Sequence, residues 1–477
     1  MVSLSQIPYA ADDPEMPRDP HQPAKSGHTS AKKRPDTVSE KPPKLSQRER
    51  LLAAMTHVAS SEGYAEMSIA DLTSRAGVSR QTFYEQFADK EDCFLAAYQQ
   101  AARKVLGELQ RAMASSEWWE TPRAAVEAIL AQIAQDPETT WLFFVEGLSG
   151  GPRIGPERQR VLQAFEELAE SFLDDAPADG LTLDIPPRAL LGAIRIATIR
   201  SIASWQLRIN DGAPLPQLGE DLVTWIRSYA VPACQARWST GPHALLPAGS
   251  PQGSPMLATP LISRPEALPR GRHGLPRGVV ERNRRERIIH ATAETIQAKG
   301  YAAVTVGDIA VAAGIGKDVF YEHFSDKRHV FLAAQQHAAQ ETFNACARAY
   351  FGGRTWPERV YWGLRALTQI IAAEPALAHL RIVAPYAAGP EAIERTQQMT
   401  AMYGVFLEEG YGYRTEAKEL PRLCSSAIVD AVFEIIRGEI AAGDARELPR
   451  HVPQLAYIAI APFGGPQASG ELIEALR

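Results

Sequence analysis

The sequence predicts an all-helical protein built in two similar halves, and three observations carry that prediction. Apolar residues recur at helical spacing, as in Val126, Ile129, Leu130 and Ile133 or in Val161, Leu162, Phe165 and Leu168, while strand patterns are almost absent. Setting Arg48 against Arg285 aligns residues 48 to 102 with 285 to 339 without a gap, and 23 of the 55 positions are identical. Proline is uneven: 8 of the 35 fall in residues 1 to 44 and another 8 in residues 239 to 280. Those two stretches read as a disordered tail and a flexible linker, because they bury too little apolar surface to offset the entropy of ordering. Between and after them lie 45 to 238 and 281 to 477, of nearly equal length.

Composition excludes extremes. With 477 residues, 45% hydrophobic and 22% charged, the chain is long enough for two to four globular domains and is neither fibrous nor wholly disordered. The net charge of -6 names no partner, since a basic module can sit inside an acidic chain. Cys93, Cys234, Cys346 and Cys424 are scattered, so neither a zinc site nor a disulfide framework is expected, and no metal or cofactor is called for. No apolar leader and no long apolar run occurs, so a soluble cytoplasmic protein without membrane contact is expected.

The elements of the first half follow in order. Residues 46 to 61 form a helix with Leu51, Leu52, Met55 and Val58 inward, ended by Gly63. Ser68 and Asp71 make a capping box for a short second helix carrying Ile69, Leu72 and Ala76 inward. Gly77 and Val78 turn the chain, and Ser79 caps a third helix over 80 to 87 on which Phe83 and Phe87 share a face. Arg80, Gln81, Thr82 and Glu85 project away from that face, with Tyr84 at its flank. Asp89 caps a fourth helix with Lys90 in its first turn. This is a helix-turn-helix whose second helix can enter a major groove. The repeat persists downstream, with Pro137 matching Pro375, Gly151-Pro152 matching Gly389-Pro390, and Pro216-Gln217-Leu218 matching Pro453-Gln454-Leu455.

The string Gly63-Tyr64, Ser68-Ile69-Ala70-Asp71-Leu72, Ala76-Gly77-Val78-Ser79, Thr82-Phe83-Tyr84, Phe87 and Asp89-Lys90 resembles the tetracycline-repressor (TetR) family of bacterial regulators, and it occurs twice. The resemblance implies two TetR-like halves, each a three-helix DNA-binding domain followed by a helical effector and dimerisation domain. The boundaries expected are 45 to 104 and 105 to 238 in the first half, then 281 to 341 and 342 to 477 in the second. The partners implied are a double-stranded DNA operator and a small apolar effector, in a repressor working at the bacterial nucleoid.

Candidate DNA-binding residues are Ser68, Ser79, Arg80, Gln81, Thr82, Tyr84 and Lys90. Arg80 and Gln81 suit base edges or phosphates, Thr82 and Tyr84 offer hydroxyls to phosphates, and Lys90 stands where a helix dipole favours an anion. The second copy offers Thr305, Lys317, Asp318, Tyr321, His323 and Lys327, but it departs from the pattern. Gly316 replaces the Ser cap, Asp318 replaces Gln81 and Val319 replaces Thr82. Either this helix reads a different half-site, with Asp318 accepting from cytosine N4, or it is a mainly structural copy. Basic segments precede both modules: Lys32, Lys33, Arg34, Lys41 and Lys44 before the first, and Arg264, Arg270, Arg272, Arg277, Arg282, Arg284 and Arg285 before the second. Flexible arms of this kind can reach a minor groove or phosphates.

Gly147-Leu148-Ser149-Gly150-Gly151 matches a hydrolase nucleophile elbow, but that motif needs a strand before it and a helix after it, and helical surroundings are expected here. An enzyme is therefore not expected. Trp118, Trp141, Phe144, Trp362, Tyr386 and Tyr403 are candidates to line an effector pocket, against the plainer reading that they fill bundle cores. Family members pair through their last two helices, expected at about 186 to 211 and 215 to 236, and at 421 to 443 and 448 to 461. Pairing inside one chain, as a pseudo-dimer, and pairing between chains, as a homodimer, are both open. So is a sensor or scaffold whose degenerate second module contacts protein.

Overall fold

The computed structural model describes residues 45–64, 66–148, 153–174, 180–206, 215–236, 265–266, 268 and 274–476. The expected tail, 1 to 44, lies outside these residues, as do most of the linker and Ser149. In the first repeat α1 (Gln47–Glu62), α2 (Ile69–Ala76), α3 (Arg80–Gln86) and α4 (Lys90–Ala114) follow the expected caps. Ser46 and Glu49 form a capping box at α1, and Ser68 and Asp71 form one at α2. Gly77 turns the chain with φ 61°, a left-handed conformation that glycine adopts without steric cost. Ser79 Oγ accepts from the Thr82 amide and Asp89 from the Asp92 amide, starting α3 and α4. Phe83 and Phe87 are buried in one apolar cluster with residues of α1, α2 and α4, so the recognition helix is held by its own aromatic face.

Beyond α4 come α5 (Thr121–Gln135), α6 (Pro137–Phe144), α7 (Ile154–Asp174), α8 (Pro187–Gln206) and α9 (Leu215–Arg227). The second repeat runs through α10 (Arg277–Lys299), α11 (Val306–Ala313), α12 (Lys317–His323), α13 (Lys327–Tyr350), α14 (Trp356–Ala373), α15 (Pro375–Ile382), α16 (Pro385–Ala388) and α17 (Pro390–Ala401). After 3-10 turns, α18 (Leu423–Ala442), α19 (Val452–Gly464) and α20 (Pro466–Leu476) close the chain. None of these helices is long and apolar enough to cross a membrane.

Two features differ from the sequence reading. A short antiparallel ladder joins β1 (Leu181–Leu183) to β2 (Ala230–Pro232), so the helix expected over 215 to 236 ends at Arg227. Three residues per strand give no period to detect. The helix α10 begins at Arg277, inside the segment read as linker, because Pro276 supplies a fixed φ at its N-cap and nothing afterwards breaks it. Arg277, Arg282, Arg284 and Arg285 therefore stand on a helix instead of a flexible arm. Residues 146 to 148, by contrast, are helical as the sequence reading expects: they form a 3-10 turn following α6, not the strand end that a nucleophile elbow needs. Gly147 is required there because a Cβ would overlap the Tyr98 ring.

The two repeats share a core. One apolar cluster runs from Leu51 and Phe83 through Leu191 and Ile226 to Ile428 and Ile458, whereas the second DNA module has its own cluster around Ile288, Phe320 and Phe331. Helix α8 lies along α18, so close that a Cβ on Gly192 would overlap the Ala431 backbone. Polar bonds cross the same face: Tyr229 donates to the Ile458 carbonyl at 2.6 Å and Tyr457 to Asp184 at 2.8 Å, while Arg188 pairs with Glu439 and Arg195 with Glu434.

Candidate nucleic-acid interface

In the first module Arg80, Gln81 and Glu85 are exposed on α3, and Gln81 Nε2 donates to Glu85 at 3.1 Å. Tyr84 is 58% exposed and meets Phe83 only edge-on at 5.5 Å, so its ring faces outward and does not cover the core. Thr82 Oγ1 lies 3.0 Å from Ser79 Oγ, which ties both hydroxyls to the start of α3. Ser68 Oγ is bound 2.6 Å from Asp71 within the capping box, and Thr305 is bound to Asp308 in the same way at 2.7 Å. These two side chains are therefore engaged in starting helices, with their exposed faces alone left for phosphate.

Lys90 behaves differently from the sequence reading. Its Nζ donates to the Tyr64 and Met67 carbonyls, both at 3.0 Å, and stands 4.4 Å from the centre of the Tyr64 ring. Lys327 repeats this on Tyr301, donating to its carbonyl at 2.8 Å with the same 4.4 Å ring distance. An ammonium has three donors, so at Lys90 the loop between the first two helices takes two of them. Burial lowers the pKa of both lysines. The shared arginines also brace the modules: Arg48 and Arg285 lie over Phe87 and Phe324, and Arg50 and Arg287 donate to the Gly77 and Ala313 carbonyls. Their identity in both copies was legible in the sequence, but nothing there distinguished bracing from contact.

On α12, Lys317 and Tyr321 are exposed, Tyr321 by 56%. Asp318 curls back over the N-terminus, where a Cβ on Gly316 would collide with its carboxylate. The carboxylate thus occupies space that a side chain at position 316 would need, at the positive end of the helix. His323 Nε2 is buried without a partner. Burial lowers its pKa, with Arg285 and Arg284 acting in the same direction, so the ring is neutral near pH 7 and brings no charge to DNA. Across α11, Val311 stands 81% exposed where the first module has Ser74, and Ala312 replaces Arg75.

The first module is tied to the helices below it. His57 on α1 meets Glu138 on α6 at 2.7 Å, and the Tyr64 amide donates to Glu146 at 2.9 Å. Glu146 is deeply buried, and desolvation raises its pKa. The corresponding positions of the second repeat are Glu294, Ala376 and Ala384, which lack this polar set.

Each repeat also holds a small apolar cavity of about 50 Å³. Their linings correspond position by position: Leu109 with Cys346, Met113 with Tyr350, Phe165 with Tyr403, Leu168 with Phe406, Leu190 with Ile428 and Ile194 with Val432. Of the aromatic candidates only Tyr403 lines one. Phe144 packs on Phe143, Trp362 on Tyr361, and Trp141 bonds Glu146; Tyr386 accepts from Arg195 between the repeats. The Trp118 side chain lies outside the described ones. Helical spacing shows that an aromatic faces inward but not which interior space it meets.

Two helix-turn-helix modules with exposed second helices define the class, a DNA-binding protein. Residues 51–97 and 288–334 each match the family model for bacterial regulatory proteins of the tetR family. The chain is 26% identical over 175 residues to the HTH-type transcriptional activator FasR of Mycolicibacterium smegmatis, covering 36% of this chain and 77% of that relative. It is 38% identical over 74 residues to the HTH-type transcriptional regulator BetI of Stenotrophomonas maltophilia, covering 16% and 38%. Among solved structures, the fatty acid degradation regulator FadR from Bacillus halodurans aligns over 39% of this chain and 97% of that one, at 20% identity and a TM-score of 0.34. The chain therefore carries the DNA-binding domain of the tetR family of bacterial regulatory proteins twice, and the relatives it matches are transcriptional regulators.

Proposed function

We propose that the two repeats pair within one chain and bind an operator with two dissimilar half-sites, as an effector-responsive repressor at the bacterial chromosome in the cytoplasm. The observation that carries the reading is the packing of α8 along α18 with a common apolar core. These are the elements through which family members are expected to pair, and here each is covered by the other repeat of the same chain. Unequal recognition helices favour unequal half-sites about one helical turn apart, since Gln81 and Thr82 of the first copy are replaced by Asp318 and Val319 in the second. The DNA-contact set is Arg80, Gln81, Thr82 and Tyr84 in the first module and Lys317 and Tyr321 in the second, with Lys90 and Lys327 positioning their loops. The paired cavities are the effector sites of this reading. Ligand sites usually need about 300–1,000 Å³, so an effector must open the helices around the cavity to enter. That opening is the means by which it would move the DNA modules.

Light scattering should give a single 52.2 kDa chain on its operator. Footprinting of genomic fragments should give one protected site without inverted symmetry, with Arg80→Ala and Lys317→Ala weakening opposite ends unequally. An obligate two-chain species, or equal losses over a perfect inverted repeat, would overturn the reading. A reporter strain reads the sign of regulation. The exposed Val311 favours a second reading, in which the second module contacts protein; protection confined to one half-site would select it.

A further inference from the structure

Between the repeats, three guanidiniums converge on one carboxylate. Arg437 pairs with Glu434 on the same helix, its Nε at 3.1 Å; Arg195 reaches Glu434 from α8; and Arg158 on α7 stops 3.8 Å short of it. Their side chains are largely out of water, with exposures of 5% for Arg437, 17% for Arg195, 14% for Arg158 and 8% for Glu434. Nearby Glu157 is already engaged by Arg160 and Gln99. Among the described residues the cluster therefore holds three positive charges against one negative.

A buried charge without a counter-charge is strongly unfavourable, and natural interiors pair such groups. The donors here are also incompletely used. The Arg158 guanidinium makes no hydrogen bond to any described residue, and Arg195 Nε is buried without a partner. The Tyr98 hydroxyl on α4, on a residue only 2% exposed, makes no hydrogen bond to a described residue and lies near enough to Arg158 and Arg437 to feel their charge. Burial pushes the Arg158 guanidinium down to about 10 and Arg437 well below its ordinary value, with the neighbouring arginines opposing charge at Arg437. A crowded set of cations with spare donors in a desolvated place is what an anion needs, and guanidinium forks match carboxylate and phosphate oxygens in pairs.

We propose that Arg158, Arg195 and Arg437, with the Tyr98 hydroxyl, form an internal anion site between the two repeats that takes a carboxylate or phosphate group. It is distinct from the two apolar cavities, and it stands whether or not the DNA reading above holds. The occupant would bridge α4 and α7 of the first repeat to α18 of the second. The helix α4 begins at the first DNA module, so the site lies where binding can be felt by that module.

The test uses the full chain, with inorganic phosphate and butyrate as separate probes followed by thermal unfolding and titration calorimetry at low ionic strength. A saturable rise in unfolding temperature with either probe supports the site, and the probe that acts identifies the headgroup. Arg158→Gln should be at least as stable as the wild type without anion, because it removes an uncompensated charge, and should lose about tenfold in anion affinity. Tyr98→Phe keeps the ring and should lose affinity while folding normally. The proposal is overturned if neither probe saturates, or if Arg158→Gln is destabilised while its anion response is intact.

Discussion

At the scale of single residues, the same amino acid in both copies does two kinds of work that sequence does not separate. Lys90 and Lys327 stand at the start of a helix where a cation looks free for phosphate, yet each closes the loop between the first two helices through backbone carbonyls and a tyrosine face. Charge-assisted bonds are worth about 1.5–3 kcal/mol each when buried, and less where, as at Lys90, the ammonium is partly exposed to water. Lys90→Met should therefore lower stability by about 2 kcal/mol in urea unfolding, while the salt slope of DNA binding changes by less than the unit expected on losing a phosphate contact. A full unit of slope with unchanged stability would return Lys90 to the phosphate set. Gly316 and Asp318 carry a related lesson. The pair looked like two independent losses in the sequence, but the Asp318 carboxylate lies where a Cβ at position 316 would be, so the substitutions are coupled.

At the scale of elements, the helices that were well read are those with local signals at both ends. The capping boxes at Ser68 and Thr305 and the left-handed glycines at 77 and 314 fix α2 and α11 without reference to anything distant. The ladder of β1 and β2 had no such signal, because its register depends on two short segments about fifty residues apart meeting at one edge of the bundle. The crossing of α8 and α18 is also a tertiary matter. Gly192 reads as a helix-weakening residue until Ala431 is seen against it. Gly192→Leu should pry the two helices apart, costing at least 1–3 kcal/mol of overpacking, and should split a single unfolding transition into two. Unchanged, single-step unfolding would mean that the repeats do not depend on this contact.

At the scale of the whole molecule, the shared core predicts that the repeats stay paired even without their covalent link. Cleavage at a protease site inserted in the 239 to 264 stretch should leave two fragments that co-elute at micromolar concentration. Their DNA affinity should fall on dilution to nanomolar, because the tether otherwise supplies about millimolar effective concentration. Fragments that separate at micromolar concentration would show that the interface needs the link. The sequence by itself determined the duplication, the helical class and the two recognition helices, because helical period, caps and turn glycines act over a few residues. It also marked the second recognition helix as unequal. Only the tertiary structure decided which lysines and arginines brace the modules, and which aromatics face a cavity. Tyr386, offered as a pocket residue, instead meets Arg195 from the other repeat, and three arginines from α7, α8 and α18 gather on Glu434. Such meetings join residues up to 276 positions apart in the chain. No local rule encodes them; they follow from how two amphipathic repeats bury their apolar faces against each other, carrying buried charge along with them.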